Sequence, residues 1–435
     1  MTLDRIDRIL PPLFDELADP RTPDYLEAAI EVASSRPQRP AWTFPGRWLP
    51  VQISTSATPV ARMPWRQIGV LALIGILIAA TVVAVGSAPK PSLLPAPPFG
   101  LAENGAIAIS VEGDIATVDP DSGRTTRIVA GSELDTVPTF SPDGTRLAFQ
   151  RALDDGSRAS VIMLGAADGS GLRQVTPEPL ASLQSWSFSP DGTQLLVTAM
   201  IDERMRLMTQ PVDGGAPTVL DVKLPIDPER VEPSSFRPPA GQEVLFMATD
   251  VTTMRGLYAH DLVSGETRTI FAPVPGTDLF GASWSPNGEA ITFHQYDATG
   301  SVISARAFVA SADGSNVRRA DAATDTSFEY QASAFSSDGT RFVLNREYDD
   351  GVQARSVIVP LTGDADPVEL ACGAELACAN AWFWSPDDTQ LIGVIEGQTN
   401  QYVVADPVTG QVSPADWTAS GMPAWQRTGG EAPRD

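Results

Sequence analysis

Through residues 105–428 the apolar positions come in short alternating runs broken by turns rich in Gly, Pro and Asp, which predicts strands rather than helices. One unit recurs six times: FSPDGTRLAF (140–149), FSPDGTQLLV (188–197), FRPPAGQEVLF (236–246), WSPNGEAITF (284–293), FSSDGTRFVL (335–344) and WSPDDTQLIG (384–393). The leading aromatics stand 48, 48, 48, 51 and 49 residues apart. Each unit reads as strand, tight turn, strand. Pro presets φ at the second turn position, Asp or Asn tolerates the third, and Gly closes it. The turn positions are Asp143 and Gly144, Asp191 and Gly192, Asn287 and Gly288, Asp338 and Gly339, and Asp387. After the turn, the alternation in Arg146-Leu147-Ala148-Phe149 predicts Leu147 and Phe149 on one buried face. The leading Phe or Trp is an apolar anchor suited to packing between sheets.

Between these units lies a second hairpin, seven times over, as in IATVDPDSG (115–123) and YVVADPVTG (402–410). Two hairpins in about 48 residues give four strands, the blade of a β-propeller. The run from Gly105 lacks a preceding aromatic strand, and GMPAWQ (421–426) at the far end supplies one. Trp425 is therefore expected to close the ring by pairing the C-terminal strand with the first blade, which removes free sheet edges. The fold class expected is an all-β seven-bladed β-propeller of four-stranded blades over 105–428, with a disordered tail at 429–435.

The repeats resemble the TolB-like (WD-like) β-propeller family, whose blades carry a [FW]-S-P-D-G turn. The resemblance spans about residues 100–428 and implies a bacterial, membrane-anchored propeller protein. The sequence departs from the motif at Arg237-Pro-Pro-Ala-Gly241, at Ser337 in place of Pro, and at Asp388 in place of Gly.

Upstream the pattern changes. IGVLALIGILIAATVVAV (68–85) is 18 residues without a charge or a polar stripe, long enough with Gly86 to Ala88 to cross a bilayer. A transmembrane helix is expected at 67–88. Arg62 and Arg66 precede it, which places the N-terminus in the cytoplasm and the propeller outside. Pro89 after Gly86-Ser87-Ala88 argues against a cleaved signal peptide. Residues 1–66 read as a cytoplasmic arm with two short helices and a Pro/aromatic linker, loosely like the leaders of some bacterial membrane proteins with sensor-like ectodomains. Residues 89–104 read as an extended Pro-rich stalk.

Charge sharpens this division. Residues 1–66 hold eight Arg against eight Asp and Glu, so the net −24 falls wholly downstream. Such acidity serves solubility and excludes nucleic acid as a partner. The only cysteines, Cys372 and Cys378, form no CxxC, and a short-loop disulfide is the reading for an extracytoplasmic domain. No Ser has Gly at both −2 and +2, no HExxH occurs, and the only lysines are Lys90 and Lys223. His260 and His294 read as packing or surface residues. The recurring Asp143, Asp191, Asn287, Asp338 and Asp387 are explained by turn chemistry rather than as a metal ring.

No catalytic residue, cofactor or metal ligand is assigned. The expected function is a non-enzymatic binding, sensing or scaffold module for a protein, peptide or glycan. A protein or peptide ligand would sit on the propeller loops, residues 68–88 would hold the lipid bilayer, and a cytoplasmic partner would take residues 1–60. The alternatives are a hydrolase or lyase with a channel-face site, and an envelope-assembly component.

Overall fold

The structure is a computed structural model that describes residues 94–429, apart from 154–158, 202, 225–229, 250–254, 298–303, 321–327, 348–354, 363–365, 373–378, 380 and 397–399. The chain divides into two compact units, Met1–Ala88 and Pro89–Asp435, and every described residue belongs to the second. The expected arm (1–66), membrane span (67–88), Cys378 and the tail from 430 lie outside the described residues. Among the described residues no helix is long and apolar enough to cross a membrane.

The described residues are all-β, and each expected hairpin forms. The first FSPDG unit gives strands Asp135–Phe140 and Arg146–Ala152; Ala159–Ala166 and Arg173–Gln174 complete its four-stranded group. The same antiparallel order recurs in strands spanning 180–219, 230–271, 277–319, 328–370 and 381–414. The groups at 135–174 and 180–219 merge into one eight-stranded sheet, because Ala181 pairs with Ala159 and Leu180 with Ser160. The remaining group joins the two ends of the described chain. Its order is Ser420–Thr428, Glu103–Val111, Asp114–Val118, Thr125–Val129, with Ile107 opposite Trp425.

The strand after each turn is buried more completely than a one-faced alternation predicts. Leu147, Ala148 and Phe149 are 1%, 0% and 0% exposed. The physical reason is that each sheet is covered on both faces, so alternation sorts side chains between two cores instead of between core and water. Leu147 and Phe149 pack against Ala108, Ile115 and Val129 of the preceding group, while Ala148 packs against Leu195 and Val197 of the following one. Val244, Phe246 and Ala248 divide from Leu245 and Met247 in the same way. Seven such clusters are found among the described residues, each fed by two consecutive groups. One draws Ile107, Ile109 and Val118 together with Ile392, Val394 and Trp417.

The leading aromatics serve these seams. Phe140, Phe236, Trp284, Phe335 and Trp384 are buried, whereas Phe188 and Trp425 are partly buried. Residues 94–102 do not stand off the domain as a free stalk. Ala96 is buried, its N–H donates to the Asp143 carbonyl (2.9 Å), and the Gly429 N–H donates to Leu94 (2.9 Å).

Candidate functional site

The feature repeated most faithfully is the turn after each leading aromatic, and its hydrogen bonds account for the Ser, Asp and Thr of the motif. The Ser141 hydroxyl donates to Asp143 Oδ1 (2.5 Å) and accepts the Arg146 N–H (3.0 Å). Asp143 in turn accepts the Thr145 N–H (3.1 Å) and hydroxyl (2.9 Å). Gly144 sits at φ +70°, the left-handed conformation the turn requires. The network recurs through Ser189 with Asp191, Ser285 with Asn287, Ser336 with Asp338, and Ser385 with Asp387. Burial works against the charge of Asp143, Asp191, Asp338 and Asp387. The bonds from neighbouring Ser and Thr outweigh it and hold all four below the usual carboxylate range. These carboxylates are spent within their own turns.

Two of the turns are also fastened to the next by an arginine. The Arg146 guanidinium donates to the Gly192 carbonyl (2.6 Å), and Arg237 Nε donates to the Gly288 carbonyl (2.9 Å). Arg237 and Arg341 lie over the rings of Trp284 and Trp384, 5.1 and 4.8 Å from their centroids.

The two departures from the motif at Ser337 and Asp388 prove to be one feature, which single-motif reading misses. Asp388 occupies the glycine position at φ +59° and is buried. Its carboxylate accepts the backbone N–H of Ser337 (2.6 Å) and of Asp338 (2.9 Å) in the preceding group's turn. Pro, which stands at the Ser337 position in most of the repeats, has no N–H to give. The signal available in the sequence was the joint loss of Pro and Gly in consecutive repeats. Burial pushes the Asp388 carboxyl above the usual range. Asp388→Ala is expected to lose about 1–2 kcal/mol, because two partly buried donors lose their acceptor. The same change in a Ser337→Pro background, where one donor is already gone, should cost less. Urea unfolding of the four corners of this double-mutant cycle measures the coupling.

The other residues singled out by sequence scatter. Cys372 is disulfide-bonded, and Cys378 lies outside the described residues. His260 bonds Thr267 through Nδ1 (2.9 Å), and His294 is buried against Phe280 with ring centroids 4.8 Å apart. Among the described residues no group of three or more His, Cys, Asp or Glu is placed to hold a metal. The first strands of the groups present a different surface. Val137, Ser185, Gly281 and Met422 are exposed, and each stands three residues before a leading aromatic: Phe140, Phe188, Trp284 and Trp425. None of the four side chains can ionise. Val137 is held at φ +52°, where the pairing of its strand shifts register between Thr136 and Thr139.

Solved structures place this architecture. The chain is similar to the β-propeller domain of the Trilobed protease from Pyrococcus furiosus: 13% identity, 74% of this chain and 100% of that one covered, TM-score 0.53. It is similar to an oligogalacturonate lyase in complex with manganese at 15% identity, covering 72% of this chain and 85% of that chain with TM-score 0.53. TolB from Acinetobacter baumannii matches at 15% identity over 74% of this chain and 82% of its own, with TM-score 0.46. No family model and no curated protein matches the sequence. At these identities the likeness shows the fold, and the fold is that of a β-propeller.

Proposed function

We propose that the chain is a membrane-tethered, extracytoplasmic β-propeller of seven blades, its ring closed by the C-terminal strand, which binds a protein or peptide without catalysis. The blade number is supported by the seven inter-sheet clusters and by the pairing of Ser420–Thr428 with Glu103–Val111. Tethering rests on the uncharged run at 68–85. One observation carries the binding role. The repeated carboxylates are consumed by turn hydrogen bonds, while the exposed first-strand positions Val137, Ser185, Gly281 and Met422 carry no ionisable side chain. Such positions offer contact area and no titratable group of the kind general acid–base chemistry needs.

Crosslinking the full-length protein in its membrane, followed by identification of the adducts, tests this reading. A specific adduct is expected that is reduced at least tenfold by Val137→Asp combined with Met422→Asp. An adduct unchanged by both substitutions, or chelator-sensitive turnover of a substrate by the purified protein, would sink it.

A further inference from the structure

The ends of the domain meet where three groups of strands come together, and residues 94–102 cross that meeting point. The segment is built to lie extended, since Pro95, Pro97 and Pro98 restrict its backbone before it binds anything. Proline lacks an N–H, so the segment is held mostly by its carbonyls. Gly429 donates to the Leu94 carbonyl (2.9 Å). Arg427 Nη2 donates to the carbonyls of Gly100 (2.6 Å) and Pro97 (3.2 Å). Two of its own N–H groups reach outward in opposite directions: Ala96 to Asp143 of the following group (2.9 Å), and Ala102 to Pro386 of the preceding one (3.0 Å). Beyond it, Asn104 Oδ1 accepts the Asp387 N–H (3.2 Å).

Both residues that donate to the segment's carbonyls belong to the C-terminal end. Arg427 lies within Ser420–Thr428, and Gly429 follows directly. That strand is separated by some three hundred residues from its partner Glu103–Val111, and its pairing there is interrupted by two register shifts. Its ladder is thus weaker than an unbroken one, and the segment supplies bonds the ladder lacks. The same nine residues are the only covalent route from this domain to everything upstream of residue 94.

We propose that residues 94–102 are a strap that fastens the C-terminal strand into the ring, so that displacing the upstream chain frees Ser420–Thr428. The proposal rests on the closed-ring reading given above. It differs from a passive stalk in one respect: the strap couples the position of the chain leading to the domain with the integrity of the ring's joint. A strand freed there would expose the edge of Glu103–Val111 and the partly buried Trp425.

Hydrogen exchange on the full-length protein in detergent micelles tests it, comparing wild type with Arg427→Gln and Ala102→Pro. The first removes the two guanidinium bonds and the second removes the bond to Pro386, from opposite sides of the contact. In both variants the amides of 420–428 should exchange at least tenfold faster, while those of Arg255–Asp261 keep wild-type rates. Wild-type protection of 420–428 in both variants overturns the strap and leaves the closed ring standing. A uniform rise across the domain also overturns it, since the effect would not be confined to the joint. Exchange of 420–428 in the wild type as fast as in an unstructured peptide overturns the closed ring, and the strap with it.

Discussion

Gly144→Ala should destabilise the domain by more than about 3 kcal/mol and leave little folded protein at 37 °C. Two costs combine. Gly144 holds φ +70°, which charges any Cβ-bearing residue about 1–2 kcal/mol. A Cβ built there would also stand 1.7 Å from the Arg427 carbonyl oxygen, a backbone atom that cannot rotate away. That carbonyl belongs to the C-terminal strand, and Gln426 of the same strand donates to the Gly144 carbonyl (2.8 Å). The substitution therefore wedges the first FSPDG turn off the joint between the chain's two ends. Gly265→Ala separates the two costs, because Gly265 has φ +72° but nothing within 4 Å of the added carbon. It should lose only the conformational part, about 1–2 kcal/mol. Calorimetry on both variants decides the matter, and equal losses would show that the close approach at Gly144 contributes nothing.

This contrast marks the boundary of what the sequence makes legible. Gly144 and Gly265 look alike in the chain, each the glycine of a polar turn, and local turn chemistry identifies both. Only the neighbour across the seam distinguishes them. The hairpins, their order and the turn residues were readable because they depend on contacts a few residues apart. The destination of each side chain was not. Leu147 and Ala148 alternate as a half-exposed strand would, and both are buried because a sheet lies on either side. The same limit hid the Asp388 contact with Ser337, which are 51 residues apart. It also hid a set of arginines that reach the next group's backbone: Arg173 to Val212, Arg268 to Ala312 and Arg318 to Leu361. Each looks like an ordinary surface charge until the repeats are stacked. The exposed first-strand positions were less legible than the turns, because Val137 and Met422 share a place three residues before an aromatic but no residue type.

Acidification should weaken the domain through His294 before the depressed aspartates Asp143, Asp191 and Asp338 titrate. This ring is 1% exposed, packs against Phe280, and lies in strand Ala290–Asp297 opposite Phe280 and Ala307. Burial penalises the imidazolium and drives its pKa from 6.5 down to about 3. The unfolded chain takes up a proton near pH 6.5 and the folded chain does not, so stability is complete above that value and falls as pH is lowered toward 3. Between pH 7 and pH 4.5 the loss from this single group should be about 2.5 kcal/mol, at 1.36 kcal/mol per unit. The turn aspartates act in a lower window. Their depressed values keep their contribution intact above about pH 4, and it is lost only as pH falls further. His260, also lowered by burial although Asp261 and Asp221 oppose the shift, adds in the same direction as His294. Replacing His294 with Phe removes the proton site while keeping a ring against Phe280. Urea midpoints measured from pH 7 to pH 4.5 should therefore fall steeply in the wild type and much less in His294→Phe. Parallel curves for the two proteins would show that His294 is not the group through which acid acts.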